Sequence, residues 1–291
     1  MTWYSLLRLG ALVYVAVTCV VVGDTAGKLL MAQGINAFHV AWSRFFIGVV
    51  LLLPFSGLQW RDLPVLQHAL TDWRVVLRGG LIAAGIASIL TALQTEPIAN
   101  VFGAFFIGPI VSYALSVVVL KERPGRSRTG LLCIGFVGVM LVVKPHVGVS
   151  VGMLFALLAG AFYGAYLMMT RLVAGRYRPR LLLLTQLLIG SVLLLPFAYS
   201  AGMPALGGFS MTLLTISAAG SAAGNYLLVV ANRVADASLI APLVYTQLLS
   251  ATLAGVLVFH ELPDTLALLG LVLILLSGLG SLLLHARYQQ R

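Results

Sequence analysis

Long apolar stretches dominate this 291-residue chain, and polar residues interrupt them only briefly. About 20 residues of helix cross the ~30 Å hydrocarbon core of a bilayer. Runs of that order recur near 6–27, 35–56, 74–94, 98–120, 127–144, 150–171, 180–200, 211–231, 238–259 and 265–285. Strands of a membrane barrel would alternate apolar and polar positions over about ten residues. These runs are continuous and longer, so the pattern predicts an all-α integral membrane protein with ten spans. The linkers are short, and the longest, 57–73, fits a surface amphipathic turn.

Composition agrees with the pattern. Hydrophobic residues make up 60% of the chain and charged residues 9%, against about 25% charged in a soluble domain. No soluble domain fits anywhere. A net charge of +10 would suggest nucleic acid in a soluble protein; here it reads as the basic decoration of the retained side of a membrane protein. Cys19 and Cys133 lie inside apolar runs and imply no disulfide framework. The first run is longer than a signal sequence's apolar region and lacks a small-residue cleavage site, so it reads as a retained span.

Lys and Arg give the orientation. With the N-terminus inside, the cytoplasmic segments hold fifteen of them: Arg8, Arg61, Arg74, Arg78, Lys121, Arg123, Arg126, Arg128, Arg171, Arg176, Arg178, Arg180, Arg233, Arg287 and Arg291. Only Lys28, Arg44 and Lys144 fall outside or in the outer half. Ten spans then leave both termini cytoplasmic.

The chain also repeats. Laid 139 residues apart, Glu122-Arg123-Pro124 meets Glu261-Leu262-Pro263, and the Ala-Ala-Gly of 83–85 meets that of 222–224. One residue further on, Gly130 and Gly138 meet Gly270 and Gly278. The division is 1–145 and 146–291, two five-helix units of one membrane domain. Because five is odd, the second unit enters the membrane from the opposite face, as in inverted-repeat transporters. This explains why the turn KERPGRSR is basic while its counterpart HELPD has lost its Lys and Arg.

The two Glu-x-Pro turns, LKERPGRSRTG and FHELPDTLALLG, resemble those of the drug/metabolite transporter superfamily in its ten-helix EamA-type form. The spaced glycines behind them, the helix GMLFALLAGAFYGAYLMMTR and Pro109 add to the resemblance, which covers nearly the whole chain. It implies a bacterial inner-membrane metabolite carrier, similar to amino acid exporters, some of which handle aromatic ones, and the expectation is a secondary transporter that exports amino acids or related small metabolites by alternating access, its two repeats rocking about a midplane cavity. It also implies a central cavity walled mostly by spans three, four, eight and nine. Pro109 and Pro242 are expected to bend spans four and nine at unequal depths.

No catalytic constellation, metal-ligand spacing or phosphate-cradling motif is present in the sequence. The expectation is therefore a transporter without cofactor or metal, and not an enzyme. Its partners are a small-molecule substrate and the lipid bilayer, not nucleic acid, and a monomer fits. A drug or nucleotide-sugar carrier is the alternative within the fold; a lipid-modifying membrane enzyme is the alternative outside it.

Intramembrane charges are functional suspects. Asp24 precedes Lys28 by four residues, so the two are expected to pair on one helix face as an ion-coupling candidate or a structural pair. Arg44 is expected to snorkel outward. Glu96 and Asp236 read as helix caps, and Glu122 and Glu261 as braces of their turns. The substrate candidates are mid-span polar and aromatic residues: Ser88, Thr91 and Gln94 in span three, Phe102 and Phe106 in span four, Tyr163 and Tyr166 in span six, Asn225 in span eight, and Tyr245 and Gln247 in span nine. Each could also serve only packing or an interhelical hydrogen bond. Together they suit an apolar, aromatic cavity with a few polar anchors, and a zwitterion with a greasy side chain.

Overall fold

In lipid every backbone polar group must be satisfied internally, so continuous apolar sequence folds as helix. A computed structural model describes residues 3–53, 63–119, 121, 126–144, 148–173, 175–202, 207–234 and 243–289, and among these there is no strand. The helices are α1 (Trp3–Ala32), α2 (Ala37–Leu52), α3 (Leu63–Thr71), α4 (Trp73–Leu93), α5 (Ile98–Phe105), α6 (Gly108–Val119), α7 (Arg126–Val143), α8 (Val151–Val173), α9 (Pro179–Ser200), α10 (Gly208–Val234), α11 (Gln247–Phe259) and α12 (Thr265–Gln289). Segments Leu7–Ala32, Trp73–Leu93, Ile98–Val119, Val151–Thr170 and Arg180–Ser200 are long and apolar enough to span a membrane; α2, α11 and the apolar parts of α7 and α12 are shorter. The amphipathic turn expected in 57–73 is α3, which lies against α4 and α9.

Helix starts follow ordinary capping chemistry. Asn36 accepts from the Phe38 N–H (2.8 Å), Asp72 from Arg74 N–H (3.0 Å), Ser150 Oγ from Met153 N–H (3.0 Å) and Asp264 Oδ1 from Ala267 N–H (2.9 Å).

Span four is broken. α5 ends at Phe105, and α6 begins at Gly108 after a turn at Phe106–Ile107. Pro109 sits in the first turn of α6, where its missing N–H leaves the Phe105 carbonyl without a helical donor. Span nine shows the same turn at Tyr245–Thr246, just before α11. The two breaks stand 139 residues apart, at matching positions of spans four and nine, and the bend expected from Pro109 coincides with the first. Pro242 lies outside the described residues. A second backbone match falls in the turns, where Lys121 (φ 54°) and His260 (φ 55°), again 139 apart, both take the left-handed conformation that non-glycine residues rarely adopt.

The packing repeats as well. α1 lies along α10 as α8 lies along α4; α2 meets α10 as α9 meets α4; α1 meets α11 as α8 meets α5 and α6. Three further contacts, α2 with α9, α5 with α11 and α7 with α12, pair corresponding helices with each other. Lipid tails are as apolar as leucine, so close van der Waals approach holds such pairs together, and small residues permit it. At the α7–α12 crossing, a Cβ added to Gly138 would stand 2.7 Å from the Gly270 carbonyl oxygen. Between α1 and α10, a Cβ on Gly224 would stand 2.6 Å from the Ala16 carbonyl oxygen.

Gly138→Ala is therefore expected to cost about 1–3 kcal/mol by overpacking. Gly130→Ala, which meets nothing within 4 Å, should be neutral or gain up to about 1 kcal/mol of helix propensity. Thermal unfolding of the two variants in detergent checks this, and equal midpoints would contradict the crossing.

Candidate functional site

Where the broken span four meets α8 and α11, five of the aromatic residues singled out in the sequence join into one strip. Tyr245 stacks on Phe106 with centroids 4.7 Å apart. Phe106 meets Phe105 edge-on at 6.1 Å, and Phe102 meets Phe105 at 6.3 Å. Phe105 leans on Tyr163 at 5.0 Å, and Tyr163 stacks on Tyr166 at 5.9 Å. Phe102 and Phe106 are buried, whereas Phe105, Tyr163, Tyr166 and Tyr245 keep part of their surface open. Rings at these separations are within the range of favourable aromatic pairing, and an open ring face offers the same pairing to a planar ligand.

The strip ends on a charge, Arg78, that by sequence falls among the basic residues of the cytoplasmic side. Arg78 is 5% exposed, and its guanidinium lies over the Tyr166 ring at 4.7 Å. It donates through Nη2 to Tyr166 Oη (2.8 Å), through Nε to Thr170 Oγ1 (2.8 Å) and through Nη1 to the Leu182 carbonyl (3.0 Å). Tyr166 in turn donates to Gln186 Oε1 (3.0 Å). Every one of these partners is neutral. At the other end of the strip, two residues beyond Tyr245, Gln247 is buried.

A second buried arginine behaves differently. Arg44 Nη1 donates to Asp24 Oδ1, Nε donates to Ser217 Oγ (2.9 Å) and Nη2 to the Gly23 carbonyl (2.7 Å). The Ser217 hydroxyl donates to the same carbonyl (2.9 Å). Asp24 is 2% exposed and Arg44 is 5% exposed. Arg44 thus ties α2 to α1 and α10 and does not snorkel, which corrects that expectation. The pairing of Asp24 with Lys28 is corrected by the same contacts.

Lys28 turns instead toward the second half of the chain. Its ammonium contacts both Glu261 carboxylate oxygens (2.7 and 2.8 Å), donates to the Glu96 carbonyl (2.9 Å) and lies 4.6 Å from the Phe259 ring centroid. Glu261 also accepts from the Ile98 N–H (3.3 Å), so it caps α5 from across the bundle. Glu96 does not cap α5; its carboxylate accepts from Ser150 Oγ, which corrects the sequence assignment. Lys144 pairs with Asp264 at the same end and, together with the Ala267 N–H, holds that carboxyl below the usual value. A depressed carboxyl pKa means this contact holds at neutral pH and is lost as pH falls through that lowered value. Glu122 and Asp236 lie outside the described residues.

The remaining candidates do not join the strip. Ser88 and Thr91 line a separate groove of 350 Å³ with Phe38, Ala84, Phe155 and Phe197. Gln94 is exposed at the end of α4. Asn225 donates to the Ser221 carbonyl of its own helix (2.8 Å).

A sequence profile of the EamA-like transporter family matches this chain twice, over residues 8–144 and 150–283. The chain belongs to that family. It is a multi-pass membrane transporter of the drug/metabolite superfamily and not an enzyme. An S-adenosylmethionine uptake transporter of Rickettsia bellii is 26% identical to it over 254 residues, 87% of this chain and 85% of that protein. A riboflavin transporter of Vibrio cholerae is 27% identical over 266 residues, covering 88% and 86%. A solved crystal structure superposes with a TM-score of 0.65 at 16% identity, covering 99% of each chain, which shows a shared fold. The similarity to amino acid exporters expected from the sequence finds no support among these relatives.

Breaking one partner of the Asp24–Arg44 pair leaves a charge buried. Asp24→Asn is expected to destabilise this transporter by about 3–5 kcal/mol, and adding Arg44→Gln should return part of that loss. Thermal midpoints of the single and double variants in detergent check this; additive losses would contradict the pairing.

Proposed function

We propose that this chain is a secondary transporter of the bacterial inner membrane, moving a small metabolite that carries a flat ring by alternating access. Two upside-down five-span halves, 1–145 and 146–291, would rock about the aromatic strip. The observation that carries the reading is the strip itself. It runs from Tyr245 of the second half through Phe106 and Phe105 of the first to Tyr163 and Tyr166 of the second. Matching breaks, matching left-handed turns and matching helix contacts support the inverted repeat, and the fifteen-to-three distribution of Lys and Arg supports cytoplasmic termini.

Substrate class follows from what stacks. The two relatives described above are named for S-adenosylmethionine and riboflavin, each with a planar heterocycle. An aromatic amino acid shares that ring and keeps the amino acid reading as a second candidate, favoured by the narrow aromatic contact of Phe105 and Tyr163. Import is the proposed direction, in line with the uptake named for the first relative.

Access at the strip is proposed to be controlled where Lys28, Glu261 and Glu96 meet. These groups close one end of the bundle, and by the orientation above it is the outer end. Opening it breaks the ion pair and uncaps α5 together. Lys28 with Glu261 is therefore the ion-coupling candidate, whereas Asp24 is read as an anchor for Arg44. Ser88, Thr91, Gln94 and Asn225 are read as packing or path residues away from the ring site.

Uptake into proteoliposomes of labelled S-adenosylmethionine, riboflavin and tryptophan tests the reading. At least one should enter well above empty vesicles and be competed by the other ring compounds. Phe105→Leu and Tyr163→Leu should each lower its apparent affinity roughly 3- to 10-fold, the worth of one aromatic contact at about 0.5–1.5 kcal/mol. Glu261→Gln should slow uptake while leaving ring binding intact. Transport of short aliphatic substrates alone would contradict the ring-bearing class.

A further inference from the structure

The two buried arginines invite comparison. Arg44 has a carboxylate, a hydroxyl and a carbonyl, so its charge is cancelled inside the protein. Arg78 is equally buried, yet its three contacts, to Tyr166, Thr170 and the Leu182 carbonyl, are all uncharged, and no carboxylate pairs with it among the described residues. An uncompensated charge in such a setting is costly, and proteins retain one within a membrane span where it meets a ligand or a pathway. Those contacts use one N–H each of Nε, Nη1 and Nη2, which leaves two of the five guanidinium N–H groups. One is on Nη1 and one on Nη2, two charged donors that an anionic group can take.

Position matters as much as charge. Arg78 covers the Tyr166 ring, and Tyr166 stacks on Tyr163, so one ring separates the guanidinium from Tyr163 of the strip. The contacts to Thr170, Leu182 and Tyr166, with Gln186 behind Tyr166, fix the plane of the guanidinium. We infer that Arg78 is the seat for a carboxylate of the transported molecule, whose ring lies along Tyr163 and Phe105 of the strip. This rests on the ring-stacking reading above and narrows it to ring-bearing acids. A phosphate would satisfy the same pair of N–H groups, so a lipid headgroup is the competing source. Tyr166 is a positioning residue: its hydroxyl holds Nη2 and its ring carries the guanidinium.

Matched ligand pairs test this on the wild-type transporter, purified in uncharged detergent free of added anionic lipid. Binding is read as a shift in thermal midpoint across a concentration series, for tryptophan against tryptophan amide and for S-adenosylmethionine against its decarboxylated analogue. The acid of each pair that binds should bind at least tenfold more tightly. Arg78→Gln should erase that preference and leave the weaker partner's affinity unchanged. Tyr166→Phe keeps both charge and ring, so it should reduce the preference without abolishing it even if Arg78→Gln fails to fold. Wild-type binding of both members with equal affinity overturns the carboxylate seat but leaves the ring reading standing. Binding by none of the four overturns both. A preference that appears only when phosphatidylglycerol is added, or that Arg78→Gln leaves intact, assigns the site to lipid or to structure and also overturns it.

Discussion

The structure turns on one constraint: a helix broken halfway through a membrane must have its broken end enclosed by protein, because lipid satisfies no backbone group. Spans four and nine break at Phe106–Ile107 and Tyr245–Thr246, and the residues at the breaks stack directly on each other at 4.7 Å. α8 closes over the first break, where a Cβ on Gly108 would stand 2.9 Å from the Gly160 carbonyl oxygen. The aromatic strip is a consequence of this enclosure. Rings fill the space around two helix ends that cannot be left to lipid, and they place a stacking surface at the junction of the two halves.

Helices held mainly by dispersion and small-residue contacts can shift at modest cost, since no apolar surface enters water when they do. Polar contacts then decide which helices move as a body. Arg44 binds α2 to α1 and α10, while Arg78 binds α4 to α8 and α9. These two groups correspond helix for helix when the halves are overlaid, although each arginine comes from a different span. Between them the ion pair of Lys28 with Glu261 joins α1 to the turn after α11, and Glu261 reaches on to the start of α5. A transporter that rocks needs two firm groups and a contact that can part, and these interactions have that distribution.

Much of this was legible in the chain. The run lengths located most of the helices to within about five residues, span nine excepted, and the 139-residue offset anticipated the paired turns. Three readings failed for one physical reason. Asp24 beside Lys28, Arg44 as a snorkelling charge and Glu96 as a cap were all inferred from near neighbours in sequence. In each case a residue or backbone group from another part of the chain prevailed. Local rules such as the i, i+4 pair are worth only about 0.2–0.5 kcal/mol, too little to compete with a buried ion pair. The aromatic residues were visible as a set because they recur along spans four, six and nine, but their convergence needed the topology. Arg78 stayed hidden because positive charge near a cytoplasmic helix start has an ordinary explanation.

The central claim is that the two halves are embedded upside down relative to each other. Single cysteines placed in a Cys19→Ala, Cys133→Ala background, one set within 121–128 and one within 260–264, test it directly with a membrane-impermeant thiol reagent on intact cells and on opened membranes. The account predicts that 260–264 label on intact cells and that 121–128 label only after opening. Labelling of both sets from the same face would contradict it.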